Sequence, residues 1–223
     1  MTCEEPDEFG NFEVNISFLK QAFTVDRKAE ILEIGSGKGS LVNYLLERGY
    51  HIKGIEIDDV KMADGKRLYG QLPVFKMSGD AIGFRDRTFD MVLSFDVLEH
   101  IPDVDKHLQE VKRVLKPNGW YLLQTPNKWT NAVFETIRWK SFSKWKLYPH
   151  HCSLHSYWQL KRRFTDNGFE IEIYNMPVVT DFFKSKMETS LGSVGLLLIR
   201  VINPDKLPLP LKTNFYVKAQ KTD

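Results

Sequence analysis

Residues 30–40 read Glu-Ile-Leu-Glu-Ile-Gly-Ser-Gly-Lys-Gly-Ser, an apolar run entering a loop with glycine at every second position. A helical pattern follows (Leu41, Val42, Leu45, Leu46), and the next apolar run closes on an acid, Glu56. A strand, a glycine turn and a helix N-terminus let backbone N–H groups approach a ligand closely, because no Cβ stands in the way. An acid about 20 residues on supplies oxygens that accept hydrogen bonds from ribose hydroxyls. The unit reads as a binding site for a nucleoside-like ligand.

Glycine spacing narrows the ligand. A dinucleotide fingerprint wants Gly-x-Gly-x-x-Gly, and here the sixth position counted from Gly35 is Ser40. The chain has Glu33-x-Gly35-x-Gly37-x-Gly39 instead. That string resembles motif I of the class I S-adenosylmethionine-dependent methyltransferases.

Bulk properties fit one domain spanning residues 1–223, large enough to bury a proper core. A formal net charge of +2 gives no argument for a nucleic-acid partner. Cys3 and Cys152 form neither a disulfide framework nor a metal pattern, which suits a reducing compartment. The acidic N-terminus has no apolar core of a secretory signal, and Val194–Ile199 is far shorter than the roughly 20 residues a spanning helix needs. A cytoplasmic protein is expected.

Short apolar runs alternate with helical patterns, the signature of a doubly wound parallel α/β sheet. Strands are predicted at 30–34, 51–57, 72–77, 89–95 and 119–124, with helices near 38–48, 59–69 and 103–115. Asp103 caps the last helix, and Pro117-Asn118-Gly119 ends it. Ser156-Tyr-Trp-Gln159 is a capping box, opening a helix that stops at Gly168. Two further strands, 169–174 and 214–219, have no crossover helix of ordinary sequence between them. The resemblance implies a Rossmann-like sheet of seven strands, mostly parallel, with an antiparallel last strand. Residues 11–28 read as a leading helix able to cover the ligand pocket. Segments 127–150 and 177–212 stand outside the alternation, and acceptor specificity is expected there.

The resemblance extends through Phe89-Asp-Met-Val-Leu-Ser-Phe-Asp-Val-Leu-Glu-His100, Leu115-Lys-Pro-Asn-Gly-Trp-Tyr-Leu-Leu and Thr125-Pro-Asn127. Within the family these strings are similar to the branch of the ubiquinone-biosynthesis O-methyltransferases. S-adenosyl-L-methionine is therefore the implied cofactor. The resemblance implies that Glu33, Gly35, Ser36, Gly37 and Gly39 hold its methionine end and ribose edge through backbone N–H groups. Glu56 would take the ribose hydroxyls, with Ile57 beside it. Asp80, or the N–H of its neighbour Ala81, would read adenine. Ser94, Phe95 and Asp96 stand at the end of the fourth strand, where open α/β sheets place ligands.

Some quinone O-methyltransferases are thought to hold a divalent metal in this region, which would put it on Asp96, Glu99 and His100. The same Leu-Glu-His string serves other relatives as a structural hinge, and no metal is expected. Methyl transfer to a hydroxyl needs alignment and a base titrating near neutrality. His151 matches the histidine that relatives carry ahead of the last helix, facing the acceptor. It is the first candidate base, with His155 and His100 behind it; a purely structural role around the Ser156 cap is the competing reading.

Residues 128–148 set Trp129, Phe134, Trp139, Phe142, Trp145 and Tyr148 among Lys128, Arg138, Lys140, Lys144 and Lys146. Such interleaving fits a peripheral membrane contact, a lid over an apolar acceptor, stacking on single-stranded RNA, or a packed edge helix. The expected function is methyl transfer to oxygen on a small-molecule or lipid-like acceptor. Rivals are transfer to nitrogen, carbon or a sugar hydroxyl, and a non-catalytic cofactor-binding protein. No nucleic-acid partner is expected, because the amino-methylating Asn/Asp-Pro-Pro-Tyr/Phe motif is absent after the fourth strand.

Overall fold

The computed structural model describes residues 11–23, 26–132 and 151–222. Seven strands form one sheet: β1 (Glu30–Ile34), β2 (His51–Glu56), β3 (Val74–Lys76), β4 (Phe89–Phe95), β5 (Leu115–Pro126), β6 (Phe169–Tyr174) and β7 (Asn214–Lys221). Their order is β3-β2-β1-β4-β5-β7-β6. The pairs β1–β2, β2–β3, β1–β4 and β4–β5 are parallel, and β7 runs antiparallel to both β5 and β6. The chain leaves β1 toward β2 and β3, then returns to the other side of β1 for β4 and β5. That reversal opens a crevice at the carboxyl ends of β1 and β4, where such sheets bind ligands.

Central strands carry apolar residues on both faces because helices cover both. On one face, α1 (Phe12–Ala22) and α2 (Ser40–Leu46) pack Phe18, Leu19, Leu41 and Leu45 against Ile31, Met91, Leu93 and Leu122. On the other, α4 (Val104–Val114) and α5 (Tyr157–Asp166) pack Leu108, Val111, Leu160 and Phe164 against Leu32, Ile34, Val92, Tyr121 and Leu123. Between these in sequence, α3 (Asp59–Tyr69) lies beside the glycine loop. A Cβ on its Gly65 would stand 2.2 Å from the Lys38 carbonyl oxygen, so only glycine permits that approach.

Local signals place the helix starts. Asp58 Oδ1 accepts from the Val60 and Lys61 N–H groups, and Asp103 Oδ1 from that of Lys106. In the Ser156 capping box, the Gln159 N–H donates to Ser156 Oγ, and Gln159 Oε1 accepts from the Ser156 N–H.

Three boundaries differ from the sequence expectation. α1 ends at Ala22 rather than running on to 28. β3 is only three residues long, an edge strand with one neighbour. β5 begins at Leu115, directly after α4, and pairs with Phe89 before a register shift that resumes at Trp120. Pro117-Asn118-Gly119 thus forms a bulge within a strand, with Asn118 at φ 60°, rather than a loop ahead of one. Segment 177–212 folds as two helices, α6 (Asp181–Leu191) and α7 (Ser193–Ile202), followed by two short 3₁₀ turns. Segment 127–150 begins as a helix at 128–132, and 133–150 lie outside the described residues.

Candidate functional site

The glycine loop joins β1 to α2 with Gly35, Gly37 and Gly39 at φ 70°, 55° and 83°. At Gly35 a side chain is doubly excluded: φ is left-handed, and a Cβ would lie 2.4 Å from Val97 Cγ2. The expected free backbone donors are mostly spent inside the protein. The Gly35 and Ser36 N–H groups donate to the Ile55 carbonyl, and that of Gly39 donates to the Ser36 carbonyl. Ser36 itself is fully buried, its hydroxyl on the same Ile55 carbonyl at 3.4 Å. The loop offers a ligand close approach to backbone rather than an array of open N–H groups.

Glu56 ends β2, almost buried. Its Oε2 accepts from Gly37 N–H at 2.8 Å; Oε1 accepts from Ile57 and Asp58 at 2.8 and 3.0 Å. An ionised carboxylate has about four acceptor positions, so these three bonds leave room for a ribose hydroxyl while fixing the carboxylate's orientation. Beside it Ile57 is 65% exposed, an apolar side chain standing open at the crevice edge. Glu33 is buried at the end of β1.

Asp80 lies in a tight turn after β3 in which Ala81 N–H donates to the Ser78 carbonyl at 3.1 Å. The Ser78 hydroxyl donates to the Asp80 carboxylate, and Lys106 Nζ stands 3.6 Å from it. The Ser78 hydrogen bond, with the Lys106 charge behind it, holds the Asp80 carboxyl below its usual range. At the end of β4 the three expected residues part company. Ser94 is fully buried with its hydroxyl on Tyr121, and Phe95 is buried against Phe18 of α1, centroids 6.4 Å apart. Only Asp96 is partly open, held at φ 54° by its N–H donating to Gln124 Oε1 at 2.9 Å. The other end of that carboxamide, Gln124 Nε2, is buried without a hydrogen-bond partner. A buried donor beside a left-handed aspartate at a crevice mouth fits a polar ligand there.

His100 and His151 stack edge to face with ring centroids 5.0 Å apart. With Glu99 they offer three ligand atoms lying within 4.8 Å of one another, a set able to hold a divalent cation. His151 replaces Asp96 in the trio the sequence suggested. Burial, reinforced by the Asp96 charge, raises the Glu99 carboxyl well above its ordinary value, and Thr125 Oγ1 donates to it at 3.2 Å.

His155 does not join them. It is buried in the seam where Asn127 bridges to it, with the Lys128 N–H on its carbonyl. Burial first, then the Arg163 charge, pushes its imidazole down to about 4. A group so weakly basic, buried away from the His pair, is a poor base at neutral pH.

Sequence reasoning missed Gln124 and His107. His107 lies on the buried stripe of α4 with Val104, Leu108 and Val111, so its i+3/i+4 spacing was the available signal.

A family model described as "Methyltransferase domain" matches residues 10–173. A ubiquinone biosynthesis O-methyltransferase of Paramagnetospirillum magneticum is 34% identical over 106 residues, 46% of this chain and 42% of that protein. One from Hydrogenovibrio crunogenus is 27% identical over 135 residues, 56% of this chain and 55% of that protein. The chain thus spans about half the length of the curated relatives it matches. Among solved structures, the YcgJ protein of Bacillus subtilis aligns over 96% of this chain and 99% of its own, at 18% identity and TM-score 0.63. An S-adenosylmethionine dependent methyltransferase of Mesorhizobium loti aligns over 96% and 99%, at 15% identity and TM-score 0.65. These two likenesses establish the fold.

Proposed function

The chain belongs to the methyltransferase domain family, and from that premise we propose that it moves a methyl group from S-adenosyl-L-methionine to a hydroxyl of a small or lipid-like acceptor. The observation that carries the reading is the crevice itself: a glycine loop open to close approach, a fixed Glu56 carboxylate, and Asp80 and Asp96 around the same strand ends. When bound, the cofactor would supply an activated methyl group on a sulfonium, whose sulfur departs as a neutral thioether. The protein's part is to hold and align. Glu56 takes ribose hydroxyls, the Asp80–Ala81 turn reads adenine, and Asp96 with Gln124 meets polar groups near the reacting end. Oxygen as the accepting atom is supported by the ubiquinone O-methyltransferases among the relatives.

His151 takes the acceptor's proton in this reading, with His100 against it. The Glu99–His100–His151 set favours a second version, in which those three side chains would hold a divalent cation and the cation would supply Lewis-acid polarisation of the acceptor hydroxyl. His151 cannot serve both roles at once, since a ligating nitrogen has no lone pair left for a proton. A peripheral membrane contact belongs to the same reading. It is supported by the basic aromatic segment 128–148 and by Val194, Leu197, Leu198, Val201 and Ile202, an exposed apolar stripe along α7.

The deciding experiment is methylation of cell extracts with methyl-labelled cofactor, split into lipid and aqueous fractions. Label in the lipid fraction is expected. Label confined to the aqueous fraction removes the lipid-like acceptor, and no turnover with any extract leaves a binding protein. A chelator in the same assay separates the two versions: full activity is expected, and loss restored by a divalent metal favours the second.

A further inference from the structure

A chain of buried polar side chains runs beneath the turn that carries Asp80. It starts at the Gly79 carbonyl, passes through His107 on α4 and Tyr121 on β5, and ends at Ser94 on β4. His107, Tyr121 and Ser94 are all fully buried. Gly79 faces His107 Nδ1 at 2.7 Å, His107 Nε2 faces the Tyr121 hydroxyl at 2.9 Å, and that hydroxyl faces Ser94 Oγ at 2.7 Å.

One end dictates every proton in the chain. A carbonyl only accepts, so His107 Nδ1 carries the hydrogen. Burial pushes the imidazole down to about 4, so Nε2 keeps its lone pair at neutral pH. Tyr121 must therefore donate to Nε2, and Ser94 must donate to Tyr121.

The turn above this chain is pressed onto it. A Cβ at Gly79 would lie 2.9 Å from Ile34 Cγ2 and 3.3 Å from His107 Nδ1. Lys106, the residue before His107, reaches the Asp80 carboxylate from the outside at 3.6 Å. Two consecutive residues of α4 thus hold the turn from below by its backbone and from outside by its acid. A leucine would fill the space of His107 without desolvating an imidazole, but it could not hold the Gly79 carbonyl.

We propose that the chain from Gly79 through His107 and Tyr121 to Ser94 is a positioning device that sets the Ser78–Ala81 turn for recognition of the cofactor's adenine. The proposal rests on the reading of Asp80 and Ala81 as the adenine-facing residues. His107 is a positioning residue, because it acts through Gly79 and touches no ligand itself. Its distinctive consequence is nucleobase selectivity rather than affinity alone.

The test is calorimetry with two probes, S-adenosylhomocysteine and S-inosylhomocysteine, which differ only at the base. The parent is expected to prefer the adenine form. His107→Leu should weaken S-adenosylhomocysteine by roughly tenfold or more while barely changing the inosine analogue, so that the preference collapses. His107→Asn, whose carboxamide N–H also branches from Cγ and can reach the Gly79 carbonyl, should restore S-adenosylhomocysteine binding to within about threefold of the parent. A folded His107→Leu protein that keeps the parent's preference overturns the proposal, as does equal weakening of both probes. Asp80→Asn is the separate control on the underlying reading. If it leaves the preference intact while His107→Leu abolishes it, Asp80 is misassigned and the positioning chain stands. Should His107→Leu fail to fold, nitrogen NMR of the parent decides: the His107 ring resonances should shift when S-adenosylhomocysteine saturates the protein, and their constancy rejects the idea.

Discussion

In the proposed reading, Glu56 serves fold and ligand together. Its three backbone partners make it the clasp between the glycine loop and the start of α3, so truncation would loosen the crevice as well as remove the proposed ribose acceptor. Glu56→Gln is the cleaner test, because it keeps the volume but turns an NH₂ group toward at least one N–H donor. It should cost on the order of 2–4 kcal/mol in S-adenosylhomocysteine binding by calorimetry, with the fold retained by circular dichroism. Undiminished affinity would place the ribose elsewhere. His151→Gln addresses the chemistry separately. With His151 as base, turnover should drop by roughly 10²–10⁴ while cofactor affinity stays at the parent's value. Activity within a few-fold of the parent would reduce His151 to a packing partner of His100.

At the scale of elements, α7 is the least covered piece of the described structure. Val194, Leu197 and Val201 are 59%, 60% and 74% exposed along one stripe, while Gly195 packs against the Met187 carbonyl of α6. Nearby in the fold, Asn127 anchors the start of segment 127–150 by donating to the carbonyls of Pro210 and Lys212 at 2.9 and 2.8 Å. The two irregular segments are thereby tied at their roots. If they meet a bilayer, binding to vesicles should require anionic lipid and weaken as salt rises, because each lysine near the surface contributes only about 1 kcal/mol. Changing Lys140, Lys144 and Lys146 together to Glu should abolish the association and leave cofactor binding untouched. Absence of parent binding to anionic vesicles at low salt removes the membrane contact and makes a lid or packed helix the better account of 128–148. Among the described residues no helix is long and apolar enough to cross a membrane.

For the whole molecule, the buried imidazoles make stability depend on pH. His107 is depressed from 6.5 to about 4 by burial, and His155 likewise. The unfolded chain therefore takes these protons first, and stability falls as pH drops from about 6.5 toward 4. Glu99 acts oppositely: its raised carboxyl contributes stability below the unfolded value of 4.5 and loses it as pH rises. The histidine term is isolated by comparing slopes. Between pH 7 and pH 5 in urea titrations, the parent should lose about 2 kcal/mol more than His107→Asn. Equal losses would mean that His107 is not neutral and buried in solution.

The sequence by itself determined the doubly wound sheet, because Ile31-Leu-Glu-Ile34 and Phe89-Asp-Met-Val-Leu93 are short, apolar and bounded by turn residues, a signal local enough to read along the chain. It also made legible the features that depend on near neighbours: the Gly35–Gly39 turn, the strand end at Glu56, and the Asp103 and Ser156 caps. Tertiary structure alone decided which of the expected groups meet. Ser94 and Phe95 follow one another at the end of β4, yet strand alternation sends one to Tyr121 beneath one face and the other to Phe18 beneath the opposite face. His151 and His155 are four residues apart, yet one lies against His100 and the other is buried in a seam. Gln124 and His107 carried no motif, since their roles come from partners 28 residues away in sequence, Asp96 and Gly79. Long-range hydrogen bonding sets those roles and is written in no local run of residues; for His107 the helical spacing marks only its burial.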